Sequence, residues 1–307
     1  MDSTKPNGNN NSNNNIEPHC DPRDFPGVDV YAVVGNPIAH SKSPQIHSFF
    51  AQQTGQNIHY GKLWSPVDQF KKTVNEFFAN GGKGLNVTVP FKTQAYELSE
   101  QLTDRARAAG VVNVLWEQDG KLHGDNSDGV GLVRDLLRSK VALKNKKILM
   151  LGAGGAAQGV LLPLMAHQPE MIIVANRTTE KAQVLVEKFQ KSAKDNNVQL
   201  QASGLNELHQ LGQVDVIINA TASGLSALSP LTDDQVKVLV KKTSVGYDML
   251  YGQQTPFMKQ IADVGCEVFD GLGMLVEQAA EAFEIWRGNA VVGRLDTDVV
   301  IKALRRI

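Results

Sequence analysis

Lys147–Gly159 reads K-I-L-M-L-G-A-G-G-A-A-Q-G, and the fold turns on how this stretch is read. Ile148 to Leu151 is a short apolar run of the kind that makes a buried strand. Gly152, Gly154 and Ala157 follow in the spacing G-x-G-x-x-A, which opens a helix. Gly152 permits the tight bend, Gly154 lets the backbone approach a pyrophosphate, and the small Ala157 lets helix and strand pack closely. Strand, glycine turn and helix in that order predict a dinucleotide turn, with phosphates on the free N–H groups of the helix N-terminus. Ile148 to Ala166 is also apolar and long enough to span a bilayer. The closely spaced glycines, Gln158 and Pro163 argue against that reading.

Downstream of the turn, Met171 to Ala175 is a second buried strand. Its end should face the adenine ribose, where an acidic residue would select NAD. The chain has Asn176 and Arg177 there, with Lys181 one turn later, and a cation without an acid suits a 2′-phosphate, hence NADP. Thr178 is expected to cap a helix bearing Ala182, Leu185, Val186 and Phe189. Val214 to Ile218 and Ser244 to Asp248 read as further strands, the first running into Asn219, Ala220 and Thr221, the second into Met249 and Tyr251. In the last long helix Gln278 shares a stripe with Leu275, Ala282 and Ile285, and an amide on an apolar stripe needs a partner.

Upstream, Tyr31 to Gly35 is strand-like and leads through Pro37 to His40, Ser41, Lys42, Ser43 and Pro44. Pro44 suits a first helical position, so Ser43 is expected as the N-cap. Two hydroxyls before a helix N-terminus also make a carboxylate cradle. His40 and His47 lack a neighbouring carboxylate or Cys, and no metal site is expected. His59 to Leu63 reads as a strand, and Val67, Phe70, Val74, Phe77 and Phe78 form one helical face. Leu85, Val87 and Val89 alternate as a strand, with Asn86 and Thr88 on the other face and Lys92 just past the carboxyl end, where open α/β sheets place ligands. A cation in a first helical turn is unfavourable to the dipole and calls for another reason. An acidic helix is expected over Glu97 to Arg107, a strand over Val111 to Trp116, and a loop over Gly124 to Gly129 before an amphipathic helix. The tail over 1–27, with its Asn/Ser run from Asn9 to Asn15, is expected to be disordered.

At 307 residues the chain suits two domains. With 31 basic and 32 acidic residues nothing in the balance points to nucleic acid or a membrane surface, so a small ligand is expected. Cys20 and Cys266, far apart, exclude a disulfide framework and fit a reducing compartment; with no secretory signal, the expectation is cytoplasmic.

Four motifs taken together, Gly35–Pro44 (G-N-P-I-x-H-S-x-S-P), Asn86–Lys92 (N-V-T-V-P-F-K), Asp125–Gly129 (D-N-S-D-G) and Asp270–Ala279 (D-G-L-G-M-L-V-x-Q-A), resemble the shikimate dehydrogenase family. The likeness runs in order from about Tyr31 to Trp286. It implies an α/β protein with a Rossmann-like NADP domain over 129–270 and a discontinuous α/β substrate domain over 28–128, completed by C-terminal helices over 271–307. It implies reversible NADPH-dependent reduction of 3-dehydroshikimate to shikimate, with Lys92 and Asp128 as the catalytic pair. Ser41 and Ser43 would hold the carboxylate, and Asn86, Thr88, Asn113, Tyr251 and Gln278 the ring hydroxyls. Gly152, Ala153, Gly154, Gly155, Ala156, Asn176, Arg177, Thr178, Lys181, Met249, Gly271 and Asp104 match cofactor positions. Shikimate or 3-dehydroshikimate would be the small-molecule partner of a monomer or homodimer that binds no nucleic acid and no membrane. The alternatives are a quinate dehydrogenase of the same family, against which Ser43 and Thr88 speak, and a nucleotide-sensing relative without turnover, against which the retained Lys92 and Asp128 speak. The family's N-T-D-G is here Asn126 to Gly129 with Ser127, and its A-V-N-T is Val111 to Val114.

Overall fold

A computed structural model describes residues 17–306. The first half alternates β1 (Asp29–Gly35), α1 (Ser43–Thr54), β2 (Ile58–Trp64), α2 (Phe70–Ala79), β3 (Gly84–Val87), α3 (Lys92–Leu98), β4 (Gln101–Leu102), α4 (Asp104–Ala109), β5 (Val114–Gln118) and β6 (Lys121–Asp125). Helix α5 (Asp128–Arg138) then leads to β7 (Lys147–Leu151), α6 (Gly155–Ala166), β8 (Met171–Asn176), α7 (Thr179–Asp195), β9 (Gln199–Gly204), β10 (Val214–Asn219), α8 (Asp233–Leu239), β11 (Val240–Asp248), α9 (Pro256–Asp263) and β12 (Glu267–Asp270). Helices α10 (Leu272–Arg287) and α11 (Thr297–Leu304) close the chain.

The strands form two sheets, ordered β2-β1-β3-β5-β6-β4 and β12-β11-β10-β7-β8-β9. The second is parallel throughout. Read from β9, its order is the doubly wound one, reversing between β7 and β10, and sheets of this kind bind ligands outside the carboxyl ends of their strands at such a reversal. Strand β7 shows why: Ile148 and Met150 enter one core with Val160 and Leu164 of α6, while Leu149 and Leu151 enter another with Phe257 and Ile261 of α9. Period-two side chains buried on both faces read as an unbroken apolar run. In the first sheet only β5 runs against the rest. The carboxyl ends of β1, β3 and β6 therefore share an edge with the start of β5.

Several expectations from the sequence give way. The tail boundary at residue 27 is too late: Pro18 O accepts from Trp64 N at 2.8 Å, Cys20 is buried, and Phe25 stacks on His59 at 3.7 Å. A few apolar side chains anchor a segment whose average composition is polar; the run Asn9 to Asn15 lies outside the described residues. The helix expected over Glu97 to Arg107 is two, α3 and α4, because Gln101 and Leu102 pair with His123 and Gly124 and Thr103 caps α4 by accepting from Ala106 N. The strand expected from Val111 starts at Val114, and the loop before Asp128 contains β6, hairpinned to β5 through Asp119 and Gly120, both at positive φ. That Asp-Gly pair is a hairpin signal in its own right. Strand β3 stops at Val87 and Val89 is 60 % exposed, since Pro90 has no N–H for a ladder. The amphipathic helix expected after the Gly124 to Gly129 loop is α5, which opens already at Asp128 and leads from the first sheet to the second. The apolar run Ile148 to Ala166 is shared between β7, the turn and α6, and among the described residues no helix is long and apolar enough to cross a membrane.

Candidate active site

Lys92 opens α3 just beyond β3, and Asp128 opens α5 just beyond β6, so two strand ends on either side of β5 deliver them to one place. Lys92 Nζ lies 2.5 Å from Asp128 Oδ2, with the lysine side chain 17 % and the aspartate 3 % exposed. The other Asp128 oxygen, Oδ1, accepts from Asn113 Nδ2 at 2.9 Å, and the same Nδ2 reaches Gln278 Oε1 of α10 at 2.8 Å. Asn113 cannot turn its amide over, because its Oδ1 accepts from Ser127 N at 2.8 Å. The amide on the apolar stripe of α10 thus has its partner. Asn86 Oδ1 takes the Tyr60 hydroxyl proton at 2.7 Å and its Nδ2 reaches Asn113 O at 3.3 Å, which holds its side chain in the same cluster.

Behind Tyr60 the His47 ring is fully buried, stacked 4.0 Å from the Tyr60 ring, and neither ring nitrogen has a hydrogen-bond partner. Burial pushes its imidazole down to about 3, with only the Asn86 side chain opposing. Burial likewise raises the Tyr60 phenol well above its ordinary value, and the Ser43 hydroxyl beside it only partly offsets that.

Ser43 is the first residue of α1 and not its cap; the cap position falls on Lys42, which offers no side-chain bond. Ser41 Oγ instead accepts from Ser43 N and donates to Ser43 Oγ, both at 3.2 Å, so the two hydroxyls point into one corner. Thr88 is half-buried with its N–H on Val34 O at 3.0 Å, which keeps it beside β1. Tyr251 follows β11 in a loop tied down by Asp248, whose carboxylate accepts from Leu250 N, Asn219 Nδ2 and Thr255 Oγ1. Burial raises the Asp248 carboxyl, and those hydrogen bonds work against it.

The dinucleotide turn abuts this cluster. A Cβ on Gly159 of α6 would stand 3.2 Å from Asp128 Oδ2 and 3.0 Å from Asn126 Oδ1, and one on Gly129 would stand 2.7 Å from Gly159 O. Bare backbone is what lets α5 and α6 approach this closely. Gly152 holds φ +106°, and a Cβ on Gly154 would meet nothing within 4 Å, so the turn is open where an anion would approach. No side chain caps α6, which leaves its first N–H groups for such an anion. Ala153, Gly155 and Ala156 continue the turn, partly exposed. At the end of β8, Asn176 Nδ2 donates to Thr178 O at 2.9 Å, and Arg177 and Lys181 are exposed. Thr178 stands at the cap of α7 but makes no side-chain bond there, contrary to expectation. Gly271 meets Met249 closely, its N–H donating to Leu250 O at 2.8 Å. Asp104 opens α4 with an exposed side chain, apart from the Lys92 cluster.

Sequence reasoning assigns no role to Tyr60, Arg105 or Asp125 and weighs His47 only as a metal ligand. Arg105 forks onto Asp125 through Nε at 2.7 Å and Nη2 at 2.6 Å, and its Nη1 meets Glu281 at 2.8 Å. Burial alone would lower this guanidinium; its hydrogen bonds and charge contacts with Asp125 and Glu281 outweigh that and hold it above its ordinary value. The only local signal was the motif that begins at Asp125, and nothing nearby marks Arg105 as its partner.

Three family profiles match the chain: "Shikimate dehydrogenase substrate binding domain" over residues 33–115, "Shikimate / quinate 5-dehydrogenase" over 135–249 and "Shikimate 5'-dehydrogenase C-terminal domain" over 271–305. The shikimate dehydrogenase (NADP(+)) of Cupriavidus taiwanensis is 50% identical over 266 residues, covering 85% of this chain and 89% of its own. Among solved structures, an Ael1 enzyme from Pseudomonas putida superposes with a TM-score of 0.79 at 40% identity, over 90% of this chain and 98% of that one. The shikimate 5-dehydrogenase of Thermus thermophilus, in complex with NADP(H) and shikimate, superposes with a TM-score of 0.78 at 29% identity, over 91% of this chain and 99% of that one.

Proposed function

The chain belongs to the shikimate dehydrogenase family, and we propose that it catalyses the reversible NADPH-dependent reduction of 3-dehydroshikimate to shikimate. It is an NADP-dependent oxidoreductase with a Rossmann-like fold. The observation that carries the residue assignment is the Lys92–Asp128 pair, 2.5 Å apart and seated against the glycine face of the dinucleotide helix. When bound, NADPH supplies the hydride.

As hydride reaches the carbonyl carbon, negative charge grows on the oxygen, so a donor must already be held there. Lys92 Nζ is that donor and, in the oxidation, the acceptor of the hydroxyl proton, directly or through one water. Asp128 aims Lys92 by accepting from it and takes a ring hydroxyl; Asn113 keeps the aspartate in register. Ser41 and Ser43 hold the substrate carboxylate, while Asn86, Thr88, Asn113, Tyr251 and Gln278 hold the ring hydroxyls. On the cofactor side, Gly152 to Ala156 cradle the pyrophosphate, Asn176, Arg177, Thr178 and Lys181 surround the 2′-phosphate, and Met249, Gly271 and Asp104 complete the border. The first sheet with α10 and α11 forms the substrate half, and the second sheet forms the cofactor half. The near balance of charge supports a protein that does not engage nucleic acid, and we take it to be a cytoplasmic monomer or homodimer.

Initial rates with shikimate and quinate, each with NADP and NAD, test the reading. Shikimate with NADP should give the highest kcat/KM. A clear preference for quinate with NAD would make the chain a quinate dehydrogenase, and absence of all turnover would make it a binding protein on the same fold.

A further inference from the structure

Arg105 lies outside the reacting groups, yet two lines of contact run from it to Asp128. One passes through the loop. Asp125 closes β6 at 3 % exposure and takes both arms of the Arg105 fork; its Oδ1 also accepts from Thr103 Oγ1 at 2.5 Å and from Asn126 N at 2.6 Å. Asn126 Oδ1 in turn accepts from Asp128 N at 3.1 Å. The second line passes through α10. Arg105 Nη1 holds Glu281 Oε1 at 2.8 Å, and Glu281 Oε2 takes Arg134 Nη2 of α5 at 2.8 Å. Glu281 stands three residues past Gln278, on the same face of the helix. Gln278 meets Asn113, and Asn113 meets Asp128.

One guanidinium therefore ties the loop that presents the aspartate to the helix that presents the amide. We propose that Arg105 is a positioning residue for the Lys92–Asp128 pair, acting through Asp125 and Glu281 without touching substrate. The inference rests on that pair being the catalytic one. Its chemistry is specific to arginine, because a planar fork fixes the angle of a carboxylate where an ammonium does not. Displacing reacting groups by about 1 Å lowers turnover by up to about a hundredfold, which sets the scale to look for.

The test uses the full chain and the variants R105K, D125N, R105K/D125N, E281Q and R134Q, with kcat and KM for shikimate at saturating NADP, the dissociation constant of NADP, and the thermal midpoint. R105K should lower kcat by about tenfold to a hundredfold while NADP binding stays within about threefold. The double variant should lose no more than the worse single one, since both act through one contact. A folded R105K with kcat within about twofold of the unaltered protein and only a lower midpoint would overturn the proposal, as would losses that multiply in the double variant. If R105K does not fold, E281Q and R134Q decide: E281Q leaves the Asp125 fork in place but loosens Glu281 from both Arg105 and Arg134, and R134Q removes the second contact alone. A kcat lowered at an unchanged midpoint in E281Q and not in R134Q supports the proposal, whereas an unchanged kcat in E281Q or an equal loss in R134Q overturns it. K92A separates the two readings. An inactive K92A beside a fully active R105K refutes Arg105 alone, whereas an active K92A refutes the catalytic pair and this inference with it.

Discussion

The separate roles proposed for Lys92 and Asp128 have separate kinetic consequences. Lys92→Ala removes the group at the developing oxygen charge and should cut kcat by about a hundredfold or more with little change in KM, as measured by steady-state rates. Asp128→Asn keeps the shape and removes the charge, so it should lower kcat and raise KM together. A Lys92 variant that kept its kcat and lost only affinity would reduce the lysine to a binding residue. Arg177 makes the matching prediction for the cofactor. Pairing with a 2′-phosphate contributes about 1.5 to 3 kcal/mol, roughly tenfold to a hundredfold in affinity. Arg177→Ala should therefore weaken NADPH much more than NADH in a fluorescence titration, and equal weakening would mark the arginine as structural. His47 makes a prediction about pH. Burial holds its imidazole at about 3, against an ordinary 6.5, so between those values the unfolded chain binds a proton that the folded protein refuses. Stability should then fall as pH drops below 6.5, by up to about 1.4 kcal/mol per pH unit from this residue. His47→Phe, which keeps an aromatic ring on Tyr60, should flatten that slope in denaturant titrations. An unchanged slope would place the acid sensitivity elsewhere.

Helices α5 and α10 form the element on which the site is mounted, and their closeness depends on glycine. A Cβ on Gly131 would stand 2.7 Å from Met274 O and 2.8 Å from both Cβ and N of Gln278, and one on Gly273 would strike the Asp135 carboxylate. Alanine is the better helix former by about 1 kcal/mol, yet overpacking a close seam costs about 1 to 3 kcal/mol, and backbone is the less yielding neighbour. Gly131→Ala should therefore lower stability and raise the KM for shikimate, because the displaced helix carries Gln278 away from Asn113. Denaturant midpoints and steady-state KM check this, and an unchanged KM would show that Gln278 does not rely on the seam. The periodicity of α5 is only partly legible in its sequence. Leu136 and Val133 are buried as their spacing implies, but Leu137 is 46 % exposed and Leu132 is fully buried, because two partners, α6 and α10, divide the surface of one helix.

Across the whole molecule the two sheets share no strand and are joined by helices. Leu132 and Leu136 of α5 and Met274 of α10 lie in the same core as Ile148 and Val160 of the second sheet and its helix α6, while Val276, Ala280 and Phe283 of α10 pack with Ile46 and Phe50 of α1. Lys188 of α7 also caps the C-terminal end of α4, donating to Ala109 O at 2.6 Å. With one helix shared by both cores, unfolding should be a single transition. The three tryptophans, Trp64, Trp116 and Trp286, lie in β2, β5 and α10, so their fluorescence follows the first sheet and α10, whereas far-UV circular dichroism follows both sheets. The two curves should coincide in urea, and separate midpoints would show the halves unfolding independently.

Local pattern alone declares a large part of this protein. The run Ile148 to Leu151, its glycine turn and the strand Met171 to Ala175 announce the parallel sheet, because each strand is buried on both faces and each turn needs particular residues at fixed spacing. Lys92 stands out in the same way, at a helix start just past an alternating strand, whereas Asp128 stands out only through the family motif that holds it, since the strand before it reads as a loop. Packing settles whatever depends on residues far apart in the chain. Gln101 and Leu102 become a strand only because β6 lies beside them, and Cys20 leaves solvent only because Gly61 makes room, a Cβ there falling 2.5 Å from its Sγ. The meeting of Asn113 with Gln278, and of Arg105 with Asp125 and Glu281, is equally invisible in any short window. Single hydrogen bonds between distant side chains leave no periodicity behind, and their partners are chosen by how the helices pack.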